Sequence, residues 1–184
     1  MAPALAPPPR SLAASPAAGT CAGLLVELLK REGVDAVFGI PGGPITPVFD
    51  ALYHEPSVRL VATRHEAGAA FMAAGYARMT GRLGVCLLTT GPGATNALTG
   101  VAAAKADSLP VMALSAQVAT VAYGKGSLQD STYDRGDTVE MFRPFTKLSA
   151  QLPHPRSLGM MFRQAARTAM AGRRGPVHLC LPTD

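Results

Sequence analysis

The first regular pattern along the chain starts at Thr20. Leu24, Leu25, Leu28 and Leu29 recur three and four positions apart, the spacing of one helical face. Thr20 is placed to cap that helix, Lys30 and Arg31 suit its last turn, and Gly33 is placed to end it. Val34 to Ile40 (VDAVFGI) then reads as a short buried strand running into the turn cluster Pro41-Gly42-Gly43-Pro44. A helix over 45–54, a strand over 59–63 and a helix over 66–79 follow. The last of these is built mostly from small residues (Ala67, Gly68, Ala69, Ala70, Ala73, Ala74, Gly75, Ala77), which lets another backbone approach closely. Leu83 to Thr89 is a nearly continuous apolar run, as in strands buried on both faces of a parallel sheet. Gly91-Pro92-Gly93 opens a helix over about 94–106, and a strand follows at 110–115. Residues 116–135 lack a period, and loops this long are usually functional or mobile. A short helix near 138–142, a weak strand over 146–151, a helix over 155–171 and a strand over 176–181 complete the pattern.

Strands that alternate with helices at this spacing form βαβ units around a parallel sheet. The expected fold is therefore α/β, a three-layer sandwich with a roughly six-stranded, mostly parallel sheet and helices on both faces. Ligands of such sheets bind at the carboxyl ends of the strands. That places three loops together at one edge: 40–44, 63–66 and 89–96.

Composition narrows the picture. A chain of 184 residues with 48% hydrophobic residues is long enough to bury a core without staples. Only 16% of residues are charged, low for a free surface, which suggests that another domain or subunit covers part of it. The net charge of +5 is spread out and not interleaved with aromatics, so no nucleic-acid footprint is expected. Cys21, Cys86 and Cys180 are odd in number, far apart and set among apolar residues. They read as reduced cysteines behaving as small hydrophobes, and no metal site is expected. No apolar run is long enough to span a membrane. Residues 1–18 read as a disordered Ala/Pro-rich lead-in without the apolar centre of a signal peptide, so a cytoplasmic location is expected. The folded domain is expected over 19–184.

At the carboxyl edge, Glu66 is followed by a wholly apolar stretch, Ala67 to Phe71. A carboxyl desolvated there could stay protonated and donate a hydrogen bond. Equally, it could be a first-turn Glu that suits the helix dipole. Thr89 to Asn96 forms a glycine-rich strand-to-helix turn whose amides could meet an anion. It matches neither G-x-G-x-x-G nor a Walker A loop, and a packing turn against a flat ligand serves equally. His65 sits beside a helix start, where a structural role is expected. His54, His154 and His178 lack carboxylate or cysteine partners, and Ser115 and Ser127 lack a nucleophile-elbow context.

Four segments fall in a recognisable order: Gly39-Ile40-Pro41-Gly42-Gly43, the run from Thr63 to Arg78, Thr90-Gly91-Pro92-Gly93-Ala94-Thr95-Asn96, and Gly172-Arg173-Arg174-Gly175-Pro176-Val177. Together they resemble the N-terminal, pyrimidine-binding domain of thiamine-diphosphate enzymes, in the acetolactate synthase and pyruvate oxidase branch. The resemblance implies that Glu66 is catalytic. It would hydrogen-bond N1′ of the aminopyrimidine and favour the 4′-imino form that deprotonates the thiazolium, whose ylide attacks a 2-keto acid. It implies that Ile40, Pro41, Gly42, Pro92 and Asn96 line the pyrimidine, and that Gln129 matches an active-site Gln, with Leu128 before it where the family usually has Phe. Arg143 resembles an arginine that contacts flavin, which admits FAD. Mg²⁺ and the diphosphate are held in the family by a Gly-Asp-Gly motif in a separate domain, whereas Gly-Asp occurs here only at Gly136-Asp137, followed by Thr138. The implied partners are a diphosphate-binding domain or subunit and a second copy, since the family associates through this domain. On this resemblance the chain is half of a site: a fragment, a truncation or one subunit of a split enzyme, inactive alone. The alternative is a non-catalytic association module that keeps the fold and dimer surface, with the helix of 67–77 and the helix after Gly93 as its contact surfaces.

Overall fold

The computed structural model describes residues 19–184; the lead-in expected at 1–18 lies outside them. The elements run α1 (Cys21–Arg31), β1 (Ala36–Gly39), α2 (Thr46–Tyr53), β2 (Arg59–Ala62), α3 (Glu66–Thr80), β3 (Gly84–Leu88), α4 (Pro92–Ala106), β4 (Val111–Gln117), α5 (Thr138–Phe142), β5 (Ser149–Gln151), α6 (Leu158–Met170) and β6 (Val177–Pro182). The six strands form one sheet in the order β2-β1-β3-β4-β6-β5. Every pairing in it is parallel, which sharpens the expected "mostly parallel" sheet.

Period-2 alternation along the strands divides the interior into two cores. Val37, Val85, Leu87 and Leu114 face one way and meet Leu25, Leu29, Leu52 and Phe162 from α1, α2 and α6. Ala36, Phe38, Cys86 and Leu88 face the other way and meet Ala70, Ala73, Ala97, Val101 and Phe142 from α3, α4 and α5. The first core is filled by large aliphatic side chains and the second mainly by alanines. The second is accordingly thin. A Cβ at Gly84 would lie 2.1 Å from the Ala73 carbonyl oxygen, and one at Gly100 would lie 2.6 Å from Ala70 Cβ. The small residues of α3 thus serve contact with α4 and the sheet of the same chain: Ala69, Ala70, Ala73 and Ala77 are buried there. On the outer side of the same helix Phe71 and Met72 are exposed.

Element ends follow local chemistry. The Thr20 hydroxyl accepts from Gly23 N at 3.1 Å and caps α1. α4 begins at Pro92, two residues before the expected start, because a proline's missing N–H costs nothing at the first helical position. The helix expected over 155–171 opens as a 3₁₀ turn, Pro155–Ser157, with His154 Nδ1 accepting from Arg156 N at 3.1 Å, and becomes α-helical at Leu158. β5 is shorter than the expected 146–151, since the Thr146 hydroxyl turns back to the Phe142 carbonyl at 2.9 Å.

Candidate functional site

In this strand order the chain moves from β1 outward to β2 and then returns past β1 to β3. The crossovers on either side of that reversal diverge, which leaves a crevice at the carboxyl ends of β1 and β3. The loops after β1, β2 and β3 meet there, as expected from the sequence. Close backbone approaches hold the crevice narrow. A Cβ at Gly39 would lie 2.5 Å from the Leu87 carbonyl oxygen, and one at Gly42 would lie 2.5 Å from Thr89 Oγ1. The loop 40–44 therefore rests directly on the end of β3. Thr46 N and the Thr46 hydroxyl, each 3.0 Å from the Gly42 carbonyl, fix its exit into α2.

Glu66 is the first residue of α3. His65 precedes it in extended conformation, and its Nδ1 accepts from Ala67 N at 3.1 Å. His65 is thus a helix cap, the structural role expected of it. Thin packing between α3 and α4 sets the starts of both helices side by side. As a result Asn96 Nδ2 donates to Glu66 Oε2 at 3.0 Å. The other oxygen, Oε1, lies over Gly93, 3.3 Å from where a Cβ would stand, in the first turn of α4 where the helix dipole favours negative charge. The desolvation expected of Glu66 is incomplete in this chain, because the residue is only half-buried.

Ile40 and Gly42 are half-buried, and Pro41, Pro92 and Asn96 are exposed at the same edge. Gln129 arrives from the long connection between β4 and α5. Its backbone lies against Gly91, where an added Cβ would be 3.1 Å from both Gln129 Cβ and the Gln129 carbonyl oxygen. The structure thus brings Ile40, Pro41, Gly42, Glu66, Pro92, Asn96 and Gln129 to the same carboxyl edge of the sheet. Arg143 pairs with Glu140 one turn earlier, and Asp137 of the Gly-Asp pair caps α5 by accepting from Glu140 N at 3.0 Å. Among the described residues no three His, Cys, Asp or Glu side chains group as a metal site.

Thr89 and Thr90 belong to the turn singled out in the sequence, but nothing in the sequence assigns either of them a role. Thr89 Oγ1 is a buried hydroxyl with no partner among the described residues, placed between Gly42 and Gly93. Thr90 is fully buried, with its hydroxyl 3.1 Å from Gln117 Oε1, from Ser131 Oγ and from the Gln129 carbonyl oxygen. Of the cysteines, Cys86 and Cys180 are buried as expected, and burial pushes their thiols up to about 12 and about 11. Cys21 departs from that expectation and lies exposed at the start of α1.

Residues 19–141, more than half of the chain, match the model of the family described as "Thiamine pyrophosphate enzyme, N-terminal TPP binding domain". The chain belongs to that family. As a TPP-enzyme N-terminal domain it carries its matched region from the start of α1 into α5, and so includes the whole crevice. It is 45% identical over 160 residues to a probable acetolactate synthase large subunit of Methanocaldococcus jannaschii, an alignment covering 87% of this chain and 26% of that protein. It is 41% identical over 175 residues to the acetolactate synthase large subunit of Corynebacterium glutamicum, covering 95% and 27%. It is 41% identical over 158 residues to the mitochondrial acetolactate synthase catalytic subunit of Saccharomyces cerevisiae, covering 86% and 22%. The TPP-binding domain described here spans about a quarter of the length of the curated relatives it matches. Among the described residues no helix is long and apolar enough to cross a membrane.

Proposed function

We propose that this chain supplies the aminopyrimidine-binding half of a thiamine-diphosphate-dependent 2-keto-acid lyase or carboligase of the acetolactate synthase kind. The observation that carries the reading is the Glu66–Asn96 pair set over Gly93 at the β1/β3 crevice. The residues fit a flat heteroaromatic ring. Gly42 and Gly93 let both loops close on the Thr89 side chain, whose Oγ1 is a buried hydroxyl without a partner among the described residues.

Within that site Asn96 Nδ2 holds Glu66 Oε2 and leaves Oε1 free to hold or pass a proton at a ring nitrogen. Ile40, Pro41 and Pro92 supply apolar walls on either side, and Gln129 stands at the rim. The bound cofactor supplies the electron sink for cleavage next to a keto carbonyl. Its diphosphate and Mg²⁺ are assigned to a partner domain, because hard oxygen ligands for a divalent ion are not grouped among the described residues.

The exposed Phe71, Met72 and Met79 along the outer side of α3 support docking of that partner or of a second copy. The same surface favours the second reading, an association module that catalyses nothing by itself. One experiment decides between them. The chain is mixed with a diphosphate-domain partner, thiamine diphosphate and Mg²⁺, association is followed by sedimentation, and carbon dioxide release from pyruvate is assayed. Association with turnover is expected; association without turnover leaves the module.

A further inference from the structure

The connection between β4 and α5 is tied to the crevice by a chain of buried polar groups. Thr90, Gln117 and Ser131 are each almost fully buried. Thr90 Oγ1 lies 3.1 Å from Gln117 Oε1, from Ser131 Oγ and from the Gln129 carbonyl oxygen. Gln117 Nε2 donates to Ser131 Oγ at 3.1 Å, and Gln117 Oε1 accepts from Val118 N at 2.9 Å and Ser131 N at 3.4 Å. A hydroxyl has one proton, so the directions can be assigned. Ser131 Oγ accepts from Gln117 and passes its own proton to Thr90 Oγ1. Gln117 Oε1 already holds two N–H donors, so the Thr90 proton goes to the Gln129 carbonyl. The relay runs Gln117 to Ser131 to Thr90 to Gln129, each hydroxyl accepting one proton and donating its own.

Its last member is unusual. Gln129 has φ of +61°, a left-handed conformation that a residue with a side chain keeps only when its surroundings impose it. The imposing surfaces are the Thr90 hydroxyl on its carbonyl and Gly91 packed under its Cβ. We propose that Thr90, acting through Gln117 and Ser131, is a positioning residue that clamps Gln129 over the Gly91–Pro92 turn and so ties the rim of the site to the turn that faces the cofactor. The clamp itself is a property of this chain; its consequence for keto-acid recognition rests on the function proposed above.

The test uses Thr90→Val, which keeps the shape and removes the hydroxyl, and Thr90→Ser, which keeps the hydroxyl. Backbone amide exchange is measured in the full chain. Thr90→Val should speed exchange at Asp130, Ser131 and Thr132 by about tenfold, the worth of one net hydrogen bond, while the amides of β1 and β3 keep their parental rates. Thr90→Ser should restore the parental pattern. Unchanged exchange at 130–132 in Thr90→Val, or no restoration by serine, overturns the clamp. In the assembled enzyme, Thr90→Val should raise the pyruvate KM several-fold in the parent but not in a Gln129→Gly background, with half-saturation by thiamine diphosphate unchanged. Full additivity of the two substitutions overturns action through Gln129. A parental assembly without turnover removes the functional reading and leaves amide exchange to decide the clamp by itself.

Discussion

The role proposed for Glu66 requires that a half-buried side chain keep its orientation, and Asn96 Nδ2 holds its Oε2. Replacing Glu66 by Gln preserves size and helix propensity, so the thermal midpoint should stay within about 2 °C of the parent. In the assembled enzyme the same change should slow exchange of the cofactor's C2 proton by roughly 10²–10⁴-fold, the usual worth of a positioned acid or base. Parental exchange rates would remove Glu66 from the chemistry. A second residue sets the acid sensitivity of the fold. His178 is fully buried and stacked on Phe142 at a centroid distance of 4.0 Å. The Ser149 hydroxyl donates to the Val139 carbonyl at 2.7 Å, so it accepts from His178 Nδ1 at 2.9 Å, and Nε2 accepts from Ser115 Oγ at 2.8 Å. Burial without a counter-charge pushes the imidazole down to about 3. The unfolded chain takes up this proton below about pH 6.5 and the folded chain does not. The stability contributed by the neutral ring is therefore complete above that pH and declines as pH falls toward 3. Thermal midpoints measured between pH 6.5 and 5, above the range where carboxylates titrate, should fall in the parent and fall less steeply in His178→Asn. Parallel slopes would exclude His178 as the source.

Between elements, the decisive contact is α3 against α4 and β3. It depends on Gly84 and Gly100, where a methyl group would meet Ala73 backbone or Ala70 at 2.1 and 2.6 Å. Gly84→Ala meets backbone that cannot rotate away. It should cost about 1–3 kcal/mol, lowering the thermal midpoint by roughly 2–12 °C, and the loss should appear as well in the Glu66–Asn96 geometry at the far end of the helices. A parental midpoint would show that the two layers are not as tightly set as described. The elements themselves were legible because their signals are local: leucines at helical spacing in α1, the apolar run of β3, Pro92 at a helix start. The meeting of the three loops followed from alternation alone, since a parallel sheet leaves few places for a crevice. The Thr90–Gln117–Ser131 relay was not legible. Its members are distant along the chain, each is an ordinary polar residue, and only the fold brings them within hydrogen-bonding distance. His178 was hidden in the same way, with partners on two other strands.

For the whole molecule, the function proposed above gives the crevice a ring site and one carboxylate. The described residues should therefore bind thiamine diphosphate only weakly. A charge-assisted hydrogen bond contributes about 1.5–3 kcal/mol, and ring burial adds a few more, against an association cost of similar size. A dissociation constant of about 1 mM or weaker is expected by calorimetry, with or without Mg²⁺; micromolar, Mg²⁺-dependent binding would refute the division of the site between two domains. The order of strands has another consequence, in the time domain of synthesis. β1, β2 and β3 pair only with one another and with β4, so this half of the sheet can form once Gln117 has left the ribosome, and the crevice can close soon after, once Ser131 has followed. β4 then waits for β6, since Met112 pairs with Val177 about 65 positions later. At roughly 5–20 residues per second that is about 3–13 s. During that interval a strand reading VMALSAQ presents an open edge in mid-sheet, the kind of surface that other chains add to. Nascent chains arrested before Gly175 should be protected from protease around the crevice and cut readily near 111–117, and protection of β4 should appear abruptly once Val177–Pro182 has emerged.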